Sequence, residues 1–156
     1  ANTVTGLIFL TVIGGALVAG LKAGLVYNTF PLMGEGMIPP HYFSVEPYWR
    51  NIFENVPAVQ FNHRILAIIT VLAIVSLCVY SHFFCKSEWL LKTIYVMTTL
   101  AILQFLLGVL TLVNFVPEGL AVAHQFIGLC LFGTSVVISW GVSIPRRYSP
   151  SQTNNI

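Results

Sequence analysis

The sequence has 156 residues, of which 56% are hydrophobic and only 8% charged, and its formal net charge is +2. A typical soluble domain carries about a quarter charged residues, so this composition excludes an ordinary soluble protein. No run of like charges is long enough to form a nucleic-acid-binding surface, which excludes nucleic acid as a partner. With a mean hydropathy of +0.84, the chain is predicted to be an integral membrane protein surrounded by lipid.

Four apolar runs are each long enough to cross a membrane, for which a helix needs roughly 20 residues. The predicted fold is therefore an all-α integral membrane protein, a four-transmembrane-helix bundle over residues 1–147, followed by a polar, disordered tail at 148–156. The predicted spans are about 3–21, 57–84, 92–116 and 119–144, with an outer loop at 22–55. Because the chain begins with Ala1 rather than Met, we expect a fragment or a processed chain.

Basic residues in the short loops predict the orientation of the bundle. Lys86, Lys92, Arg146 and Arg147 all fall on one side, which the positive-inside rule assigns to the cytoplasm or the mitochondrial matrix. Both termini then lie inside. The expected location is a bacterial or mitochondrial inner membrane.

Small residues recur in the first span. Ala16, Gly20 and Gly24 lie four residues apart, a pattern that allows another helix to approach closely. We interpret this stripe as a helix-packing surface.

Two histidines occupy corresponding places in the second and fourth spans. His63 follows Pro57 by six residues and His124 follows Glu118 by six, so both are expected roughly 9 Å below the outer surface. The chain therefore repeats one order of elements: an ascending span, an outer connection, and a descending span with a histidine near its top. This faint repeat predicts two equivalent ligands about a pseudo-two-fold axis, whereas His41 and His82 lie too far away to join them.

The chemistry of such a pair favours iron in a flat macrocycle. Two neutral imidazoles produce a six-coordinate haem iron suited to electron transfer, and Ala67 and Gly128, four residues after each histidine, leave room for the ring. Zinc is disfavoured because its sites need three or four protein ligands. The alternative is that each histidine is a hydrogen-bonded packing residue.

Other polar residues near the histidines have two interpretations each. Arg64 is suited to bind a haem propionate bidentately, or to extend towards a lipid phosphate. Asn62 and Gln125 are either orienting partners of the imidazoles or ordinary polar residues at a helix end. Gln104 is assigned to helix packing. The loop carboxylates, Glu35, Glu46 and Glu54, have no identifiable partner in the sequence.

Three separated motifs resemble a known family. They are AGLVYNTFPLMGEGMIPP at 23–40, NIFENVPAVQFNHR at 51–64 and LAVAHQFIG at 120–128. In this order and at this spacing they are similar to the carboxy-terminal half of haem A synthase of the mitochondrial and proteobacterial type. The similarity extends from about Gly6 to Ile144.

The resemblance implies a fold and a function. The family has eight spans in two similar four-helix halves, and it oxidises a methyl group of haem O to the formyl group of haem A for cytochrome oxidase. The carboxy-terminal half holds a haem b through two histidines, which correspond to His63 and His124. Implied partners are the amino-terminal half, which holds the substrate haem, a haem O synthase that supplies it, and an electron-transfer partner; homo-oligomerisation is a further expectation.

One departure from the family's pattern indicates which half this is. The substrate half carries Glu-x-x-His-Arg with a glutamate thought to be catalytic, whereas this chain has Gln60 at that place. An amide cannot take up or release a proton as a carboxylate does. The resemblance therefore implies an electron-relaying half without a catalytic residue of its own.

Two other functions are consistent with parts of the sequence. One is a stand-alone b-type cytochrome that passes electrons between membrane partners. The other is a haem-free transporter or assembly factor in which the histidines line a polar path. Transporter sites usually lie at broken helices near the midplane, and the apolar runs here have no interior proline.

Overall fold

The computed structural model of the protein describes residues 1–143. Four α-helices in this range are long and apolar enough to cross a membrane. They are α1 (Asn2–Gly20), α2 (Val56–Phe84), α3 (Glu88–Val113) and α4 (Glu118–Ser143). The predicted all-α membrane bundle is confirmed, and the protein is a multi-pass membrane protein. The predicted tail at 148–156 and the basic residues Arg146 and Arg147 lie outside the described residues.

Local chemistry sets the ends of the helices. The side chain of Asn55 caps the start of α2, with proline in the first turn, a position where its missing N–H costs nothing. Helix α3 begins four residues before the predicted start, because Ser87 accepts a hydrogen bond from the Leu90 N–H. It ends at Val113 rather than near 116, since the backbone then turns through left-handed conformations at Phe115 (φ 62°) and Val116 (φ 56°).

The helices form a ring in which α1 and α3 each contact both α2 and α4. A buried apolar cluster fills the half of the bundle that is predicted to be inner; it consists of Val4, Ile8, Ile74, Ile94, Met97, Ala101, Leu131 and Ile138. Large apolar side chains on the outward faces of all four helices are exposed, among them Phe9, Leu72, Leu106 and Phe126. This distribution suits a bundle whose exterior faces lipid.

Hydroxyl groups connect the helices across the interior. Thr11 of α1 and Thr70 of α2 lie 2.8 Å apart, oxygen to oxygen. Thr5 of α1 and Ser139 of α4 lie 2.7 Å apart. Such bonds contribute to helix association where no water competes for them, typically by about 0.6 kcal/mol each.

The loop between α1 and α2 is folded against the outer end of the bundle. It contains short 3₁₀ turns at Ala23–Leu25 and Tyr48–Ile52. Asn51, which is 1% exposed, donates to the carbonyls of Val45 and Tyr48. Asn28 donates to the carbonyls of Gly24 and Leu112, and so joins the loop to the last turn of α3. The loop is therefore part of the folded unit.

Candidate haem-binding site

A cavity of about 750 Å³ lies between the four helices, and both predicted histidines line it. Its volume is within the range of about 300–1,000 Å³ typical of cofactor and small-molecule sites. Four residues of the apolar cluster, Ile8, Ile74, Ala101 and Leu131, form its floor. The site therefore rests directly on the packed interior of the bundle.

Glycines of α1 form the surface on which the His63 imidazole lies. A Cβ atom placed on Gly14 would be 3.3 Å from His63 Nδ1, and one on Gly15 would be 3.2 Å from His63 Cε1. Both distances are shorter than nearly all real Cβ contacts. His63 Nδ1 is buried and has no hydrogen-bond partner among residues 1–143. The ring is thus held by packing against the α1 backbone.

A glycine of α3 has the same relation to His124. A Cβ atom on Gly108 would lie only 2.9 Å from His124 Cε1. His124 Nδ1, too, is buried without a partner in the described part of the chain. Each histidine therefore packs against glycine on the helix that precedes its own, which is the structural counterpart of the repeat in the sequence.

Gln104 of α3 distinguishes the two histidines. Its Nε2 atom lies 3.3 Å from His124 Nε2. A Cβ atom on Gly128 would be 3.0 Å from the same Gln104 Nε2, so the glycine four residues after His124 makes room for this amide. Gln104 is placed to orient the His124 ring.

Arg64 lies at the outer end of the cavity and holds the loop. Its Nη1 donates to the carbonyls of Thr29 and Leu32 at 2.8 and 3.3 Å, and its Nη2 to the carbonyl of Tyr27 at 2.7 Å. The Nε–H group is buried without a partner in residues 1–143. A guanidinium has five N–H donors, so two remain for a further ligand after these three bonds.

Gln60 lies one turn before Arg64 and contacts the same carbonyl. Its Nε2 donates to the Tyr27 carbonyl at 3.0 Å. The residue is 2% exposed and lines the cavity, while its Oε1 atom is buried without a partner in the described range. Gln60 and Arg64 together clamp the backbone at Tyr27 and leave one buried acceptor and one buried donor unpaired.

The clamped loop segment covers part of the cavity. Phe30 lines the cavity, and its ring lies edge-on to that of Phe105 with centroids 6.0 Å apart. We call residues 27–32 the outer strap. It places backbone carbonyls and an aromatic ring at the outer end of the site.

The remaining predicted residues separate into two groups. Three of them line the cavity, namely Ala67, Gln125 and Gly128. Asn62 is turned to the loop, where its Oδ1 accepts from the Tyr42 hydroxyl at 2.6 Å. His82 is hydrogen-bonded to the Tyr95 hydroxyl at the far end of α2, and neither it nor His41 lines the cavity.

Sequence reasoning missed the glycines against the imidazoles, Gly14, Gly15 and Gly108, and did not connect Gln104 with His124. Of the predicted packing stripe, Ala16 and Gly24 line the cavity. A Cβ atom on Gly24 would be 3.0 Å from Val116 Cγ2, whereas one on Gly20 would have no neighbour within 4 Å. A usable signal was present, because glycine inside a helix lowers helix stability and often has a packing reason. Gly14-Gly15 and Gly108 both occur well inside their spans.

Two imidazole side chains line the cavity between apolar walls, and each could supply one nitrogen ligand to a metal. Among residues 1–143 no three His, Cys, Asp or Glu side chains cluster as a metal site. A metal held here by protein atoms alone would have too few ligands, whereas a macrocyclic metal brings four ring nitrogens with it. The donor set therefore fits a haem better than a bare ion.

Comparison with known proteins decides the family. The sequence profile of COX15-CtaA, described as "Cytochrome oxidase assembly protein", matches residues 1–136. The chain belongs to the COX15-CtaA family. No solved structure matches the chain significantly.

Curated COX15-CtaA relatives of this chain are named heme A synthases. One from Wolbachia pipientis wMel is 44% identical over 130 residues, covering 83% of this chain and 35% of the relative. "Heme A synthase COX15" of Homo sapiens is 46% identical over 131 residues, covering 84% and 32%, and that of Bos taurus is 43% identical over 150 residues, covering 94% and 35%. The chain spans about a third of the length of these relatives.

Proposed function

We propose that this chain is the haem-binding, carboxy-terminal half of a haem A synthase, an oxidoreductase that converts a methyl group of haem O to the formyl group of haem A. In this proposal His63 and His124 bind the iron of a haem b, and the half relays electrons from the reacting haem. The names of the relatives support the activity, and the cavity supports the role of this half.

The observation that carries the proposal is the convergence of two imidazoles on one cavity. His63 and His124 come from different helices, and each has a buried, unpartnered ring nitrogen in the described structure. Ionisable side chains inside a membrane span usually face a bundle interior and have a function there, so these two side chains are expected to bind a ligand in the cavity. The glycines beneath both rings fix them in place without filling the cavity.

When bound, a bis-histidine haem supplies a one-electron redox centre with no open coordination position. The residues of the chain hold and orient it. Gln104 contacts the His124 ring, as partners that orient metal-binding histidines do, while Thr11, Thr70 and the apolar floor exclude water from below.

Charge at the cavity supports an anionic edge on the ligand. Lys22 and Arg64 are the charged residues of the described chain that line it, and no glutamate of residues 1–143 does so. The unpaired Nε–H of Arg64 and its remaining Nη2 donor match a carboxylate. We assign Arg64 to a haem propionate, and no residue of this chain to proton-transfer catalysis.

The proposal is tested by a reduced-minus-oxidised absorption spectrum of the chain purified in detergent. We expect a sharp low-spin b-type signal that is lost or becomes high-spin in both His63→Ala and His124→Ala. His82→Ala is the matched control, because this histidine is also in α2 but outside the cavity, and its spectrum should equal that of wild type. A well-folded chain that binds no haem would overturn the proposal.

A further inference from the structure

Gln60 and Arg64 share one backbone acceptor, and the geometry of that contact determines how both side chains point. Gln60 Nε2 and Arg64 Nη2 approach the Tyr27 carbonyl oxygen at 3.0 and 2.7 Å. Because a carbonyl only accepts, the amide nitrogen of Gln60 must face it. The amide oxygen is buried and has no hydrogen-bond partner in the described residues.

The contact with the Tyr27 carbonyl thus requires a hydrogen-bond donor in the side chain at position 60. A glutamate there would place a carboxylate oxygen against the Tyr27 carbonyl, and two acceptors repel each other. Its nearest favourable partner would be Arg64, since residues four apart lie on the same face of a helix. Arg50 and Glu54 in the loop, also four residues apart, show the contact such a pair can make: the Arg50 Nε lies 2.9 Å from Glu54 Oε1 and the Nη2 contacts Oε2.

The free donors of Arg64 are therefore a consequence of the residue at position 60. With glutamine, Nε–H remains buried and without a partner in the described residues. With glutamate, the same edge of the guanidinium would be occupied by a carboxylate of the protein itself. A neutral residue leaves the charge of Arg64 for a ligand.

We propose that Gln60 is a positioning residue: its carboxamide holds the Tyr27 carbonyl, and its lack of charge leaves the remaining donors of Arg64 free to bind a carboxylate of the cofactor. This inference rests on the proposed haem-binding function. The residue at position 60 then determines whether Arg64 is available to bind the acidic edge of a ligand or is already neutralised by a carboxylate of the protein.

The test compares iron protoporphyrin IX with its dimethyl ester, which has the same ring and iron but no carboxylates. For each variant of the chain, the dissociation rates of the two compounds are measured by transfer to an excess of apomyoglobin. A charge-assisted hydrogen bond of this kind corresponds to a preference of roughly tenfold or more for the free acid in wild type. Lys22 is present in every variant, so its share of the preference cancels in the comparison.

Two substitutions separate the charge at position 60 from its packing. Gln60→Glu should reduce the preference for the free acid to within about twofold of that of Arg64→Gln. Gln60→Met is neutral and similar in length but cannot donate to Tyr27; it should retain most of the preference even where both compounds dissociate faster. The midpoint potential of the bound iron, measured in parallel, should change in Gln60→Glu more than in Gln60→Met.

The outcomes that overturn the inference are distinct from those that overturn the function. Position 60 does not act through Arg64 if wild type releases both compounds at the same rate, or if Gln60→Glu keeps the preference for the free acid. The same conclusion follows if Gln60→Met loses this preference as fully as Gln60→Glu does. In each of these cases the paired histidines still bind iron. If wild type binds neither compound, the haem-binding function itself is wrong, and the role of Gln60 with it.

Discussion

At the scale of single residues, the site depends on glycines as much as on histidines. Gly14, Gly15 and Gly108 allow a helix backbone to touch an imidazole of the next helix. The two histidines could be found from the sequence, because ionisable groups in apolar runs are rare and usually functional. The glycines are visible inside their spans, but glycine is common in membrane helices, so the sequence does not show which of them touches an imidazole.

Gly108→Ala is predicted to disturb the site through His124. The added methyl group would lie 2.9 Å from His124 Cε1, so the ring must move, and we expect a haem dissociation rate at least several times faster and a weaker low-spin signal. Overpacking of this kind typically costs about 1–3 kcal/mol. Absorption spectra and the apparent unfolding temperature in detergent measure both effects.

Gly133→Ala is the control for this substitution. Gly133 also lies inside a long helix, but a Cβ atom there would meet nothing within 4 Å. Any change in helix propensity is common to both variants, so the difference between them isolates the contact with the imidazole. Equal spectra for the two variants would show that Gly108 does not position His124.

The Arg50–Glu54 pair predicts a pH effect in the outer loop. Hydrogen bonds from Arg50, and its charge, hold the pKa of Glu54 below its ordinary value of 4.5. A lowered pKa in the folded state adds stability above the unfolded pKa, and this is lost as the pH falls through the folded value. In Arg50→Gln the Glu54 midpoint should rise towards 4.5, as measured by NMR titration of the carboxyl carbon; an unchanged midpoint would contradict the pairing.

At the scale of elements, the helices and the position of the loop were predictable, whereas the contacts of the loop were not. The predicted starts of α1, α2 and α4 lie within one residue of those observed, because each follows directly from where the apolar run begins. The cap at Ser87 and the left-handed turn at Phe115 and Val116 shifted the two ends of α3. The loop packs through hydrogen bonds from side chains to carbonyls that are far away in the sequence. No local sequence pattern predicts such bonds.

Among the residues that define the ends of the helices, Asn55 is predicted to contribute most to the stability of the chain. Its side chain accepts from the Ala58 N–H at the start of α2 and lies within hydrogen-bond distance of the His41 and Tyr42 carbonyls. Asn55→Ala removes the helix cap and these loop contacts at once, and should destabilise the chain by about 2–4 kcal/mol. Denaturant unfolding in detergent micelles gives the value.

Two further substitutions divide this effect into its parts. Asn55→Asp keeps the acceptor for the cap but loses the donors, so its loss of stability should be smaller than that of Asn55→Ala. Ser87→Ala removes a cap with no comparable loop contacts and should cost about 0.5–1 kcal/mol. If Asn55→Ala and Ser87→Ala proved equal, the loop contacts of Asn55 would contribute nothing measurable.

At the scale of the whole molecule, the short loop between α2 and α3 determines which way the bundle faces. Lys86 lies in this connection and Lys92 in the second turn of α3, so we predict that the connection lies on the inner side of the membrane and the α1–α2 loop on the outer side. In a chain whose Cys78, Cys85 and Cys130 are replaced by serine, Glu35→Cys should react with a membrane-impermeant maleimide in spheroplasts. Lys86→Cys should react only after permeabilisation, and the reverse pattern would invert the topology.

The pairing of each histidine with glycine on the preceding helix also has a consequence for biosynthesis. Helices α1 and α2 carry one imidazole with its glycine surface, and α3 and α4 carry the other. Chains are made from the amino terminus, at about 5–20 residues per second, so the first hairpin is complete while the second is still on the ribosome. A ligand that needs both imidazoles is therefore captured only after α4 has been made, and it then bridges two hairpins that were synthesised one after the other.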